Sequence, residues 1–294
     1  MRSSFVLATL AWLLSASGTA FAQEPAAVRE VLRANLEPSY LVVPIPLAGL
    51  DPVWYEANVV AHFVAHRESW PLALVLTPKI VIRLFREFSE PVKTPSYMPR
   101  LALFMWLNEP ASQRDAVRYA SFTVAHHSNG QAGPTFLPAR ELNHQTGDFY
   151  TNYFELALHS FEPEQAALRW TRFALEWHPV LFQQEDIVGR YGTVRAQLDA
   201  TVLEHPSIGG TLSASLGATL DAFTRSTNDS ALGQLDRFQL SVAYSVAFPG
   251  SEIALFARYY HGRDYYNIWF DRTLEMIQLG ISSHVAPLLG SDSN

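Results

Sequence analysis

Strict alternation of apolar and polar residues over segments of about ten residues constrains this chain more than any other feature. It is clearest in the ranges Thr193–Val202, Thr211–Asp221 and Phe238–Phe248. Side chains that alternate in this way fall on opposite faces of a strand, so the pattern predicts β-strands. The polar face holds small hydroxyl residues and scattered charges, whereas lysine and glutamate usually cover a solvent-exposed sheet. This favours a barrel with an apolar outer face and a polar lumen.

The start of the sequence predicts export. Arg2 precedes an apolar run, Phe5–Leu14, and Ala20–Ala22 forms an A-x-A cleavage site. We therefore predict a signal peptide at residues 1–22, with Gln23 as the first mature residue.

The amino-acid composition narrows the class of protein further. Charged residues make up 17% of the chain and aromatic residues 13%, and no later segment is apolar and long enough for a transmembrane helix. The net charge of −7 argues against a nucleic-acid partner. The absence of cysteine excludes disulfides and thiolate chemistry. A secreted β-protein and an outer-membrane barrel remain, and aromatic residues clustered near strand ends favour the barrel.

The predicted architecture is all-β, an antiparallel transmembrane β-barrel of about twelve strands over residues 37–283. Residues 23–36 would form a short periplasmic segment, and residues 284–294 a C-terminal tail. Thr77–Lys79 is interpreted as a tight turn between the second and third strands, and residues 47–69, 87–98, 129–147 and 221–236 as longer loops. The strands are predicted to begin near Tyr40, Leu72, Ile80, Leu101, Val117, Phe149, Leu168, Thr193, Thr211, Arg237, Ile253 and Leu274.

The candidate chemistry lies at the end of the strand that begins near Val117. His126 and Ser128 are two residues apart, so they share a strand face with Phe122 and Val124, which the barrel would present to lipid. A serine beside an imidazole is the minimum set for an activated nucleophile. On these two residues alone, the alternative of two polar residues where a strand leaves the membrane stays open.

A third polar residue is expected at the same rim. In the next strand, Asn152 shares the apolar face with Phe154 and Leu156. In an antiparallel pair it would come level with His126 and Ser128, where its amide could orient the imidazole by accepting a ring N–H.

At this point the sequence resembles a known family. The run His126–Gly130 is similar to the H-D-S-N-G motif of outer-membrane phospholipase A, a calcium-dependent enzyme on a twelve-stranded barrel. Further resemblance lies in Ser89–Lys93 with Ser96–Pro99, in the spacing of Arg118 before the histidine, and in the last strands, Tyr260–Asp271 and Ile277–Ile281.

The resemblance implies a phospholipase A1/A2 that hydrolyses phospholipid acyl esters in the outer membrane, with a homodimer as a further implication. Ser128 would be the nucleophile, His126 the general base, Asn152 its orienting residue, and the Gly130 N–H part of the oxyanion hole. The family's Ca²⁺ would be bound by Ser89, supplied across a dimer interface, and by the carbonyls of Gln131 and Asp148.

The sequence also departs from the family. His127 replaces an aspartate, and by strand parity it should point inward with little effect on the site. The loop after Gln131 is longer, which makes Asn143 a second candidate for the orienting residue, although strand parity favours Asn152. The family's dimer-contact glutamine is not evident at residues 84–87.

Two other functions stay open: a non-enzymatic barrel such as a porin or adhesin, and a different outer-membrane esterase such as a lipid A deacylase.

Overall fold

The computed structural model describes residues 31, 34–66, 70–88, 92–108, 115–163, 168–202, 210–220, 237–283 and 288–289. They form an antiparallel β-barrel in which β15 closes onto β1, and three short 3₁₀ turns lie in the connections. The elements in chain order are β1 (Ser39–Ala48), β2 (Val53–Val60), β3 (Phe63–His66), β4 (Leu72–Thr77), β5 (Lys79–Phe85), β6 (Ser96–Tyr97), β7 (Arg100–Trp106), β8 (Val117–Ser128), β9 (Tyr150–Phe161), β10 (Trp170–Trp177), η1 (Val180–Phe182), η2 (Glu185–Ile187), β11 (Val194–Val202), β12 (Thr211–Thr219), β13 (Phe238–Ala247), β14 (Ile253–Arg263), η3 (Asn267–Trp269), β15 (Thr273–Ser283) and β16 (Leu288–Leu289).

The barrel has twelve strands, as predicted. Three pairs of consecutive segments each form one strand: β2 with β3, β4 with β5, and β6 with β7. The first of these strands lies along the second, and the third lies along β8. β16 lies outside this closed ring and pairs in parallel with β3. At the closing seam, a Cβ at Gly280 would lie 2.0 Å from the Leu41 carbonyl oxygen, so only glycine lets β1 and β15 approach this closely.

Two strand assignments from the sequence were wrong. Residues 47–69, predicted as a loop, contain β2 and β3, because a bulge between Val53 and Tyr55 breaks the alternation. The predicted turn at Thr77–Lys79 does not exist: the chain continues through Pro78 from β4 into β5, and Pro78 accepts a hydrogen bond from Ala61 N–H.

The other predicted loops have mixed outcomes. Residues 87–98, predicted as a loop, contain the short segment β6, and residues 221–236 lie outside the described residues. Residues 129–147 form an irregular connection between β8 and β9, as predicted.

The alternation places apolar side chains on the outer face. In β1, Leu41, Val43, Ile45 and Leu47 are exposed, whereas Tyr40 and Val42 are buried inside the barrel. No helical segment among the described residues is long and apolar enough to cross a membrane.

The barrel interior differs along its length. The end that carries the connections 129–149, 178–193 and 264–272, here called the long-loop end, holds a buried aromatic cluster that includes Phe85, Phe149 and Trp269. Next to this cluster, the buried Arg83 guanidinium makes ion pairs of 2.7 Å with both Glu56 and Asp264.

The rest of the interior is more open. A cavity of about 1340 Å³ is lined mainly by polar residues, among them the small hydroxyl residues Ser213, Ser215 and Ser241. At the opposite end, Val31 and Leu36 pack on the inner wall beside Val64 and Phe104. These two residues belong to the predicted periplasmic segment, most of which lies outside the described residues, as do the predicted signal peptide and most of the predicted tail.

Candidate active site

The three predicted catalytic residues lie on the outer face of the β8–β9 pair, at the long-loop end. In the antiparallel register, His126 lies opposite Asn152, and Ser128 lies opposite Tyr150. Phe122 and Val124 precede them on the same exposed face. We call His126, Ser128 and Asn152 the rim triad.

A hydrogen bond of 2.8 Å joins His126 Nδ1 to Asn152 Oδ1. The amide oxygen can only accept, so His126 Nδ1 carries a proton, and Nε2 makes no hydrogen bond among the described residues. The Asn152 Nδ2 group donates to the Phe182 carbonyl at 2.9 Å, which fixes the orientation of the amide. Sequence reasoning missed this carbonyl, because a backbone group leaves no signal in the residue types.

The alternative orienting residue, Asn143, lies elsewhere. Its Nδ2 group donates to Pro134 O and Thr146 Oγ1, and its Oδ1 accepts from the N–H groups of Gln145 and Thr146. Asn143 therefore holds its own loop together, and the residue that contacts His126 is Asn152.

Ser128 sits between two tyrosines on the outer face. Its neighbour across the strand pair on one side is Tyr97 of β6, and on the other side it is Tyr150 of β9. Among the described residues, the Ser128 side chain makes no hydrogen bond, to His126 or to any other group. Its hydroxyl is therefore free to meet a molecule that approaches from outside the barrel.

The turn that follows Ser128 is held by Asn129, whose side chain is buried. Its Nδ2 group donates to Gly147 O at 2.8 Å, and its Oδ1 accepts from the N–H groups of Gln131 and Phe149. These bonds join the two ends of the loop between β8 and β9. Sequence reasoning assigned no role to Asn129, although Asn before Gly is a strong turn signal.

Gly130 adopts a left-handed conformation with φ of 67°. Most other residues would be strained at this φ, and a Cβ would also lie 3.4 Å from the Tyr97 ring. Within the described residues no hydrogen bond engages the Gly130 N–H, so this donor is available beside Ser128.

Of the predicted calcium ligands, Ser89 lies outside the described residues, while Gln131 and Asp148 lie at the two ends of the β8–β9 loop. Burial and the nearby carboxylate of Asp186 raise the pKa of Asp148. Calcium prefers oxygen ligands, and the carbonyl groups of Gln131 and Asp148 are ligands of this kind. The donor set fits calcium in chemistry, although no group of three or more His, Asp or Glu side chains able to hold a metal is present among the described residues.

The connection between β10 and β11 packs against the start of β9. Gln183 forms a β-bridge with Thr151, and Gln184 N–H donates to Tyr150 O at 3.1 Å. Thr135 of the β8–β9 loop donates to Asp186 at 2.8 Å. The loops around the rim triad are thus bonded to each other as well as to the barrel.

The inner face of the same strand pair carries a second histidine set. His127 is only 4% exposed and packs edge-on against Phe149, so it points inward as strand parity predicts. Deeper inside, Ser121 Oγ and His159 Nε2 are 2.8 Å apart in a hydrogen bond, and the His159 ring stacks on Tyr119. We call Ser121 and His159 the inner pair.

Comparisons with known proteins now bear on this arrangement. No protein-family model and no curated protein matches the sequence. Among solved structures, outer membrane phospholipase A from Escherichia coli matches with a TM-score of 0.59 at 12% identity, over 84% of this chain and 90% of that one. An active-site mutant of the same enzyme matches with a TM-score of 0.58 at 13% identity, over 85% and 90%.

A third match is the outer membrane phospholipase dimer from Salmonella typhi with bound calcium, with a TM-score of 0.60 at 12% identity, over 84% of this chain and 90% of that one. At such identities the likeness concerns the fold. The resemblance that the sequence motifs predict is therefore confirmed for the barrel architecture.

Proposed function

We propose that this chain, which has the fold of outer membrane phospholipase A, hydrolyses acyl ester bonds of phospholipids, with A1/A2 specificity, at the outer membrane. The observation that carries the proposal is the 2.8 Å hydrogen bond between His126 and Asn152 beside Ser128, on an outer face that is mostly apolar. Polar groups on such a face are costly in a membrane and are usually retained for function.

The proposed reaction begins when His126 Nε2 takes the proton of the Ser128 hydroxyl. The serine oxygen attacks the ester carbonyl, and the ester oxygen leaves as an alcohol after it receives that proton from His126. The products of this half-reaction are a lysophospholipid and an acyl group on Ser128. Water, deprotonated by His126, then releases the fatty acid.

Asn152 would keep the His126 ring in the tautomer that accepts the serine proton, since its oxygen accepts from Nδ1–H. The Gly130 N–H would donate to the oxygen that becomes negatively charged in the tetrahedral intermediate. The left-handed turn at Gly130 and the bonds of Asn129 support this position for the donor.

We include a calcium site in the proposal. Gln131 and Asp148 would hold the ion, with Ser89 supplied from the second copy in a homodimer. Calcium, when bound, would add positive charge near the developing oxyanion. The residues of this chain would hold the ion at the base of the loop that carries the Gly130 donor.

We propose an outer-membrane location, which the apolar outer face and the fold support. In bacterial barrels the short turns face the periplasm and the longer loops face outward. The rim triad would therefore lie at the outer leaflet. We also propose that residues 1–22 are removed on export.

The test is release of lysophospholipid by the purified protein in mixed micelles of phospholipid and detergent, with calcium or with a chelator. We expect hydrolysis with calcium, little with the chelator, and none by the Ser128→Ala variant. Hydrolysis by Ser128→Ala at the wild-type rate would contradict the proposal. Release of acyl chains from lipid A alone would indicate the lipid A deacylase instead.

A further inference from the structure

A short turn on the outer surface, Pro179–Gln183, lies beside the rim triad and exposes apolar side chains. Leu181 is 90% exposed, and Val180 and Phe182 are about half exposed. We call it the Phe182 turn. Three consecutive large apolar residues at the tip of a surface loop are unusual unless they contact an apolar partner.

The backbone of the Phe182 turn is bonded to the start of β9. Phe182 O accepts from Asn152 Nδ2 at 2.9 Å, and Gln183 forms a bridge with Thr151. The Gln183 side chain in turn donates to His178 O at 3.2 Å, which joins the two ends of the turn. The position of the turn therefore determines how the Asn152 amide is oriented toward His126.

The side chains of the turn continue into a line of aromatic rings on the outer face. The centroid of the Phe182 ring lies 6.2 Å from that of Phe154, which lies 6.0 Å from that of Trp177 and 6.0 Å from that of Phe122. Phe154 is two residues from Asn152 along β9, so the line of rings starts at the rim triad and leads away from it along the apolar surface.

We infer that the Phe182 turn is the acyl-chain binding element of the site, and that its backbone positions Asn152. The inference rests on the proposed function and names the part of the substrate that this surface recognises. A chain whose ester reaches Ser128 must extend over an apolar surface near the triad, and the turn with its line of rings is such a surface. Contact with the acyl chain would hold the Phe182 carbonyl against Asn152. Binding of the acyl chain would therefore be coupled to the orientation of the Asn152 amide.

The first experiment tests chain recognition. Leu181→Ser removes the most exposed apolar side chain of the turn, and Leu220→Ser is the matched control, since Leu220 is also exposed at the long-loop end but follows β12. We measure kcat and KM for a phosphatidylcholine with sixteen-carbon chains in micelles and for a soluble four-carbon acyl ester. Leu181→Ser should raise KM about five-fold or more for the long-chain lipid alone, because each buried methylene adds to affinity.

The second experiment tests the positioning role. Gln183→Ala removes the bond that closes the turn, and Gln145→Ala is its control, since Gln145 is exposed in the neighbouring loop and its side chain makes no hydrogen bond to any described residue. Gln183→Ala should lower kcat several-fold for both esters with little change in KM. A merely structural role would instead lower the amount of folded barrel, which heat-modifiable gel migration measures.

The outcomes separate the two claims. If the wild-type protein releases no lysophospholipid, the proposed function fails and this inference fails with it. If the wild-type protein is active and Leu181→Ser keeps the chain-length preference of Leu220→Ser, the inference alone is overturned. A Gln183→Ala protein that is folded and retains the wild-type kcat would overturn the positioning role.

Discussion

The two faces of the β8–β9 pair carry serine and histidine in different arrangements. On the inner face, Ser121 and His159 share a hydrogen bond of 2.8 Å. On the outer face, His126 is bonded to Asn152, and Ser128 lies two residues away without a hydrogen bond to it among the described residues. By contact alone, the inner pair looks more like a nucleophile with its base.

The residues around each histidine favour the outer set instead. The inner pair has no orienting residue, since His159 Nδ1 has no hydrogen-bond partner in the described part of the chain, and its ring is stacked on Tyr119. The His126 ring is oriented by its hydrogen bond to Asn152, and the Asn152 amide is held by its hydrogen bond to the Phe182 carbonyl. The comparison teaches that an oriented base and access to substrate define a hydrolytic site better than a serine–histidine contact does.

The largest expected effect is on the outer face. Ser128→Ala removes the proposed nucleophile and should lower kcat/KM for phospholipid by at least about 10³-fold, because the remaining groups cannot form the acyl-enzyme. Lysophospholipid release in calcium-containing micelles measures the change. The matched variant Ser121→Ala should retain activity, and loss of activity in Ser121→Ala but not in Ser128→Ala would reverse the comparison.

Asn152→Ala should have the next largest effect. Without the amide oxygen, the His126 ring is free to rotate and to adopt the other tautomer, so kcat should fall by about 10- to 100-fold, or ~1.4–2.7 kcal/mol of transition-state stabilisation. Asn143→Ala is the control in the neighbouring loop, and its activity should fall less. Equal losses in the two variants would show that loop integrity, rather than the bond to His126, is what matters.

The inner pair should contribute to stability. Ser121→Ala leaves the buried His159 Nε2 without its partner, which should lower the free energy of unfolding by about 1–3 kcal/mol. Unfolding in urea, followed by gel mobility of the folded barrel, measures this difference. An unfolding midpoint equal to that of the wild type would mean that the inner hydrogen bond adds nothing to the fold.

The smallest expected effect concerns calcium and pH at the rim. The raised pKa of Asp148 means that this carboxyl keeps its proton to higher pH than an ordinary aspartate. Because protons compete with calcium, the calcium concentration for half-maximal activity should rise as the pH falls through that raised pKa. Titrations of activity with calcium at several pH values measure this shift. Asp148→Asn keeps the backbone carbonyl and removes only the carboxylate, so it should weaken calcium activation several-fold and remove its dependence on pH in this range. Unchanged titrations in that variant would exclude a role for the Asp148 carboxylate at the site.

Parity along the strands was enough to predict the barrel and the sharing of one face by His126, Ser128 and Asn152. It failed where the alternation itself fails, at the bulge near Tyr55, and where a proline suggested a turn but the strand continues, at Pro78. The pairing of Arg83 with Asp264 was beyond reach, because it joins residues far apart in sequence. The Phe182 carbonyl could not be found either, since every residue has one.

The closed long-loop end of the lumen has a consequence for the cell that would make this protein. Aromatic rings and the paired charges of Arg83 occupy the lumen there, while the cavity lies in the rest of the interior. A barrel closed at one end would display reactive groups toward lipid without opening a path for nutrients or ions. The outer membrane would then keep its permeability barrier for as long as its lipids stay intact.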